Sequence, residues 1–239
     1  MNNLLKKLTL FFTMFFFLIS NSYAVDLIDS NQNSEVVDLV VNKYKIIPYF
    51  PDKTFRGNTF VDRYTYSGIL YNTIEVLNKN MKQIEQNDIF EFSDIKEDKY
   101  NNITDFNKNN VNYNKAIVLL NSGLIRVFSD NTFKGDKPVD YLGFAVGMGR
   151  LMKIFYDDAP PVLRKKWKME LSKQIVDSNE IPTTNPVYEP LKLSLENNLI
   201  ILKPNSLNKP ISRYEAAESI IKLINKFDEL RKYIVFTKI

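Results

Sequence analysis

Two arginines stand out for the chemistry their positions allow. Arg63 follows Asp62 and Arg213 follows Ser212, and Asp and Ser both favour the capping position that precedes a helix. An arginine at the first helical position lies beside backbone N–H groups that the helix leaves without partners, in a field that favours anions. Its planar fork can hold a carboxylate through two parallel hydrogen bonds. The alternative for each is an ion pair with a surface carboxylate, or plain solvation.

Most other chemistry is excluded by composition. The 239 residues contain no histidine and no cysteine, which removes Ser-His and Cys-His catalysis, thiolate nucleophiles and the common zinc sites. Adjacent carboxylates occur at Asp157-Asp158 and Glu97-Asp98. Neighbours in sequence point apart, so these pairs read as solvated loop charge rather than a calcium loop or a glycosidase pair. Neither a catalytic residue nor a metal or other cofactor is expected. The formal net charge of +4 is too small to argue for a nucleic-acid partner.

The elements that position the arginines belong to an internal repeat. One segment reads Phe50-Pro51-Asp52-Lys53-Thr54-Phe55-Arg56-Gly57-Asn58 and continues to Val61-Asp62-Arg63. A second reads Phe128-Ser129-Asp130-Asn131-Thr132-Phe133-Lys134-Gly135-Asp136 and continues to Val139-Asp140-Tyr141. A third, weaker copy is Lys209-Pro210-Ile211-Ser212-Arg213. Asp62, Asp140 and Ser212 each cap a helix in this reading. Val61 and Tyr66, then Val139 and Phe144, form hydrophobic staples, while Ser212 and Glu215 form a capping box.

Helical spacing follows each cap: Tyr66, Ile69, Leu70, Ile74 and Leu77; then Phe144, Met148, Leu151, Met152 and Phe155; then Ala217, Ile220, Ile221, Ile224 and Phe227. Ahead of each loop lies a shorter helical pattern, over residues 36–41, 113–121 and 188–197, the second closed by Ser122-Gly123. The unit is helix, exposed loop, longer helix. Residues 25–80 hold the first copy and 81–110 an Asn-rich linker with the start of the second. Residues 111–160 hold the body of the second, and 179–239 the third, with a degenerate loop. Between the last two, residues 161–178 read as an amphipathic connector with Leu163, Trp167, Leu171 and Ile175 on one stripe and Arg164, Lys165, Lys166 and Lys168 elsewhere. Its stripe packs on the core, or its basic face meets an anionic glycan or lipid headgroups.

The N-terminus predicts export. Lys6 and Lys7 precede a short apolar run over residues 8–19, and Ser22-Tyr23-Ala24 offers a signal-peptidase site, so residues 1–24 read as a signal peptide. The run is shorter than the roughly 20 residues that span a bilayer. No transmembrane segment is expected after cleavage, and the mature chain is expected in the periplasm or at the cell wall or surface.

The Phe-x-Asp-x-Thr-Phe-(Arg/Lys)-Gly-(Asn/Asp) pattern leading to a capped helix resembles the S-layer homology module. Phe92-Ser93-Asp94-Ile95, residues 116–125 and residues 185–191 are similar to further pieces of it. The resemblance implies a mainly α-helical protein of three helix-loop-helix repeats in a pseudo-threefold bundle. It also implies shallow grooves between repeats that bind a cell-wall polysaccharide or a peptidoglycan-linked glycan, in some lineages one bearing pyruvyl groups. By the same resemblance Arg63 and Arg213 hold the motif's arginine slot. Asp52 and Asp130 hold its turn aspartate, able to accept hydrogen bonds from sugar hydroxyls, with Arg56 and Lys134 adding charge. The glycan-binding set implied is therefore Asp52, Arg56, Arg63, Asp130, Lys134 and Arg213, with Asp52, Arg56 and Arg63 expected in one groove.

Other readings stand beside these. Asp52 and Asp130 can instead bond their own turns, and Gly57 and Gly135 read as positions needing a positive φ. Tyr141 replaces the arginine in the second copy, and the third lacks the Asp-x-Thr-Phe turn. The favoured function is a non-catalytic anchor for itself or an envelope protein partner; the alternative is a scaffold of the same fold without glycan binding.

Overall fold

The computed structural model describes residues 25, 27–29, 34–85, 88–92, 100, 102–168, 181–202 and 206–237. The expected signal peptide, residues 93–99 with the Glu97-Asp98 pair, and the connector beyond Lys168 lie outside the described residues. The protein is mainly α-helical. Helix α1 (Ser34–Asp38) continues into a π-helical turn, Leu39–Lys43. It is followed by α2 (Arg63–Glu85), α3 (Tyr113–Asn121), α4 (Tyr141–Tyr156), α5 (Pro161–Trp167), α6 (Tyr188–Glu196) and α7 (Arg213–Thr237). Among the described residues, extended pairing is limited to isolated bridges.

The long helices start where their caps predict. The Asp62 carboxylate accepts from Thr65 N–H at 2.7 Å, and Asp140 accepts from Gly143 N–H at 2.7 Å. At α7 the box is reciprocal: Glu215 accepts from the Ser212 N–H at 3.0 Å and Ser212 Oγ accepts from Glu215 N–H at 3.3 Å. The short helices end in left-handed residues, Lys45 (φ 54°), Gly123 (φ 74°) and Asn198 (φ 55°). Each is followed by an apolar pair that the chain tucks inward: Ile46-Ile47, Leu124-Ile125 and Leu199-Ile200.

Three segments before the long helices bond to one another in a closed cycle. Val139 N–H donates to Val61 carbonyl at 2.8 Å, Ile211 N–H to Val139 at 2.9 Å, and Val61 N–H to Ile211 at 3.1 Å. A second cycle runs outside it, with the Arg63, Tyr141 and Arg213 N–H groups donating to Lys137, Lys209 and Thr59. In a third, Tyr64, Leu142 and Tyr214 donate to Gly135, Leu207 and Gly57. The first two N–H groups of each long helix, which no helix can satisfy internally, are thus satisfied by a neighbouring turn.

Behind this hub lies one continuous core, with Phe55, Phe133, Phe144, Phe155 and Phe227 among its largest fully buried side chains. Glycines set the closest approaches. A Cβ on Gly149 would fall 1.8 Å from the Pro190 carbonyl oxygen, and one on Gly147 would fall 1.7 Å from Tyr66 Oη, so α4 packs tightly on α6 and on α2.

The described parts of the Asn-rich stretch hold defined structure. Helix α2 runs on to Glu85, and the Asn78 side chain clamps the backbone of Phe90 in both directions. Tyr71 and Phe92 stack at 4.7 Å. Ile103 is buried and Phe106 packs between Tyr113 and Phe133. Apolar residues among the asparagines outweigh the polar composition there.

Candidate functional site

The two intact turns have the same internal wiring. Asp52 accepts from the N–H and hydroxyl of Thr54 and pairs with Arg56 at 2.6 Å. Asp130 accepts from both groups of Thr132 and pairs with Lys134 at 2.6 Å. These bonds hold both carboxyls well below the usual range, at about 2, chiefly through Thr54 and then Arg56 for Asp52, and through Lys134 and then Thr132 for Asp130. Both aspartates therefore engage their own turns. Lys53, Arg56, Asn131 and Lys134 take positive φ, between 51° and 59°.

That observation corrects the reading of the glycines. Gly57 and Gly135 are not left-handed. They are required by a ring instead: a Cβ on Gly57 would lie 2.1 Å from the Tyr214 ring, and one on Gly135 1.9 Å from Tyr64. The tyrosine comes in each case from the helix start of another segment. Where the third turn carries Leu207 in this place, the approaching residue is Leu142.

The helix-start arginines cross the same seams. Arg63 donates to the carbonyls of Phe133 (2.6 Å) and Arg126 (2.8 Å), its guanidinium resting on the Phe128 and Phe133 rings. Arg213 donates to Phe55 (2.7 Å) and Pro48 (2.6 Å) and rests on Phe50 and Phe55. Burial lowers the pKa of both, that of Arg213 to about 10. Arg63 therefore joins Asp130 and Lys134, while Arg213 joins Asp52 and Arg56. The expected trio of Asp52, Arg56 and Arg63 is not brought together, because each helix start reaches over to a neighbouring turn.

The expected anion-friendly helix ends are likewise occupied. The N–H groups of Arg63 and Arg213 already donate to Lys137 and Thr59. Tyr141, in the third seam, donates its hydroxyl to Glu215 instead of gripping carbonyls.

Two aspartates missed in the sequence complete the intact turns. Asp29 accepts from Phe55 and Arg56 N–H at 2.6 and 2.7 Å, and Asp105 accepts from Phe133 and Lys134 N–H at 2.8 and 2.7 Å. Ile28-Asp29 and Thr104-Asp105, each shortly ahead of a short helix, were the available signal. The Phe92-Ser93-Asp94-Ile95 piece continues outside the described residues after Phe92.

Among the described residues, a groove of about 470 Å³ lies beside the first turn. Lys45, Lys115 and Arg213 supply positive charge; Tyr49 and Phe60 supply exposed aromatic surface; Asn112 and Asp62 add polar groups, and Asn72, which donates to the Ile46 carbonyl, lines the wall. Asp62 is engaged as a cap. Lys115 Nζ donates to Asn72 Oδ1 at 2.8 Å, and partial burial lowers its pKa. A second hollow of about 340 Å³ shares Lys45, Pro48 and Tyr49 with it. Of the six residues singled out in the sequence, Arg213 alone lines this groove. The others were sought in the turn motif, whereas Lys45 follows the first short helix and Lys115 lies in the first turn of α3. The chain matches no family model and no curated protein.

Proposed function

We propose that this chain is a non-catalytic module of the cell envelope, made of three divergent S-layer-homology-like repeats in a pseudo-threefold bundle. It anchors itself or a partner by binding an anionic wall glycan in the groove lined by Lys45, Lys115 and Arg213. Support for the threefold arrangement comes from the three closed bonding cycles, in which equivalent residues of each segment take equivalent parts. Support for export comes from the N-terminal pattern of Lys6, Lys7 and the apolar run that follows.

One observation carries the ligand class: cations, exposed aromatic rings and amide groups converge on a single open groove. An acidic saccharide needs all three, a charge partner for its carboxylate, a flat apolar surface for its ring and hydrogen-bonding groups for its hydroxyls.

The scaffold reading is favoured by a different observation, the internal engagement of Asp52, Asp130, Arg63 and Arg213. Sedimentation with purified sacculi, with and without their secondary polymer, separates the two. The parent is expected to pellet, and Lys45→Asn/Lys115→Gln/Tyr49→Ala to stay in solution. Asn suits the left-handed backbone at position 45, and circular dichroism checks that the variant remains folded. A triple variant that pellets like the parent rules out the groove, a parent that never pellets favours the scaffold, and soluble glycan fragments overturn the non-catalytic reading.

A further inference from the structure

Helix α5 presents a second charged surface, which shares no residue with the groove. Its Trp167 is buried, donates its indole N–H to Glu229 at 2.6 Å and meets Phe155 edge-on. Pinning Trp167 inward turns Val162, Lys165 and Lys166 outward, all three exposed and at helical spacing. On α7, Lys222, Lys226, Glu229, Tyr233 and Phe236 recur every third or fourth residue and so share one face. Lys166 Nζ lies 3.1 Å from Glu229, and the Lys226 ammonium stands over the Trp167 ring at 5.7 Å, joining the two stripes. Glu229 is the acid at that junction, already held by Trp167 and Lys166.

We propose that this face, α5 together with the Lys222-to-Phe236 stripe of α7, docks on the headgroup layer of an anionic lipid bilayer. Lysine carries its charge at the end of a long apolar stem, which suits a boundary between charge and hydrocarbon. Val162, 62% exposed, and Phe236, 78% exposed, supply apolar anchors that a soluble polyanion would leave in water. Among the described residues no helix is long and apolar enough to cross a membrane.

Co-sedimentation with vesicles of phosphatidylcholine, alone or mixed with phosphatidylglycerol, tests this. The parent is expected to bind only the mixed vesicles, and less as salt rises. Lys165→Glu/Lys222→Glu lowers the partition coefficient about a hundredfold, and Val162→Ser/Phe236→Ser about tenfold. All four side chains lie at least partly at the surface, and circular dichroism checks that both variants remain folded. The groove variant is expected to bind vesicles like the parent. Failure of the parent to bind mixed vesicles overturns the proposal, as does unchanged binding of the charge variant. If the apolar variant binds normally and inorganic polyphosphate competes as well as the vesicles do, the occupant is a soluble polyanion and the lipid assignment falls.

Discussion

The first two seams of the hub and the third solve one packing problem in different ways. At the turns of residues 50–59 and 128–137, a glycine admits a tyrosine ring and an arginine grips two carbonyls. At the third, Leu207 lies opposite Leu142, and Tyr141 bonds Glu215 where the arginine would be. The backbone bonds are equivalent in all three. What differs is how the side chains lock them, through cations and rings in two seams and a phenol–carboxylate bond in the other. Departures that look like decay in a single segment are matched by compensating residues in the segment it touches.

The glycines offer the strongest way to break that comparison. Gly135→Leu drives a side chain into Tyr64 and is expected to cost about 3 kcal/mol in urea unfolding. The pair Gly135→Leu/Tyr64→Leu, which imports the third seam's combination, should recover at least about half of the loss. Additive effects would show that the ring contact is irrelevant.

Removing a grip ranks next. Arg213→Ala leaves the Pro48 and Phe55 carbonyls without their charged donor and should cost about 2–3 kcal/mol. Arg63→Ala should cost less, because Arg213 is only 4% exposed while Arg63 is partly exposed. Thermal melts of the two single variants rank them, and the opposite order would reverse the assignment of the tighter seam.

The smallest effect lies in the turn aspartates. Their carboxyls titrate near 2 in the folded chain, against an ordinary 3.8. A depressed acid contributes stability that is complete above the ordinary value and lost as pH falls through the folded one. A shallow decline between about pH 4 and 2 is expected, reduced in Asp52→Asn/Asp130→Asn. Both groups are solvent-exposed, so the decline is small, and a double variant with an unchanged pH slope would locate the acid sensitivity elsewhere.

The helix starts were legible because capping is local: Asp62, Asp140 and Ser212 each act within three residues of themselves. The three short helices also fell close to where their apolar spacing predicts. The candidate site was less legible. Which turn Arg63 serves is decided across a sequence separation of 70 residues, and Arg213 reaches across 158. No periodicity encodes such a crossing. The glycine requirement was misassigned for the same reason, since the obstacle to a Cβ is a ring from elsewhere in the chain. Correlating positions among the copies would have shown it: Gly57 and Gly135 accompany Tyr214 and Tyr64, and Leu207 accompanies Leu142.

The closed cycle also changes what a truncation does. In a linear array of repeats an end unit shares one boundary, and its removal leaves the remainder nearly intact. Here the last segment bonds both to its predecessor and to the first, through Tyr141–Lys209 on one side and Arg213–Thr59 on the other. Cutting the chain ahead of Leu207, before the last turn, opens two of three boundaries at once and strips donors from turns far upstream. Unfolding should therefore be all-or-none, and assembly during synthesis must wait for the final helix to emerge before the first turn is sealed.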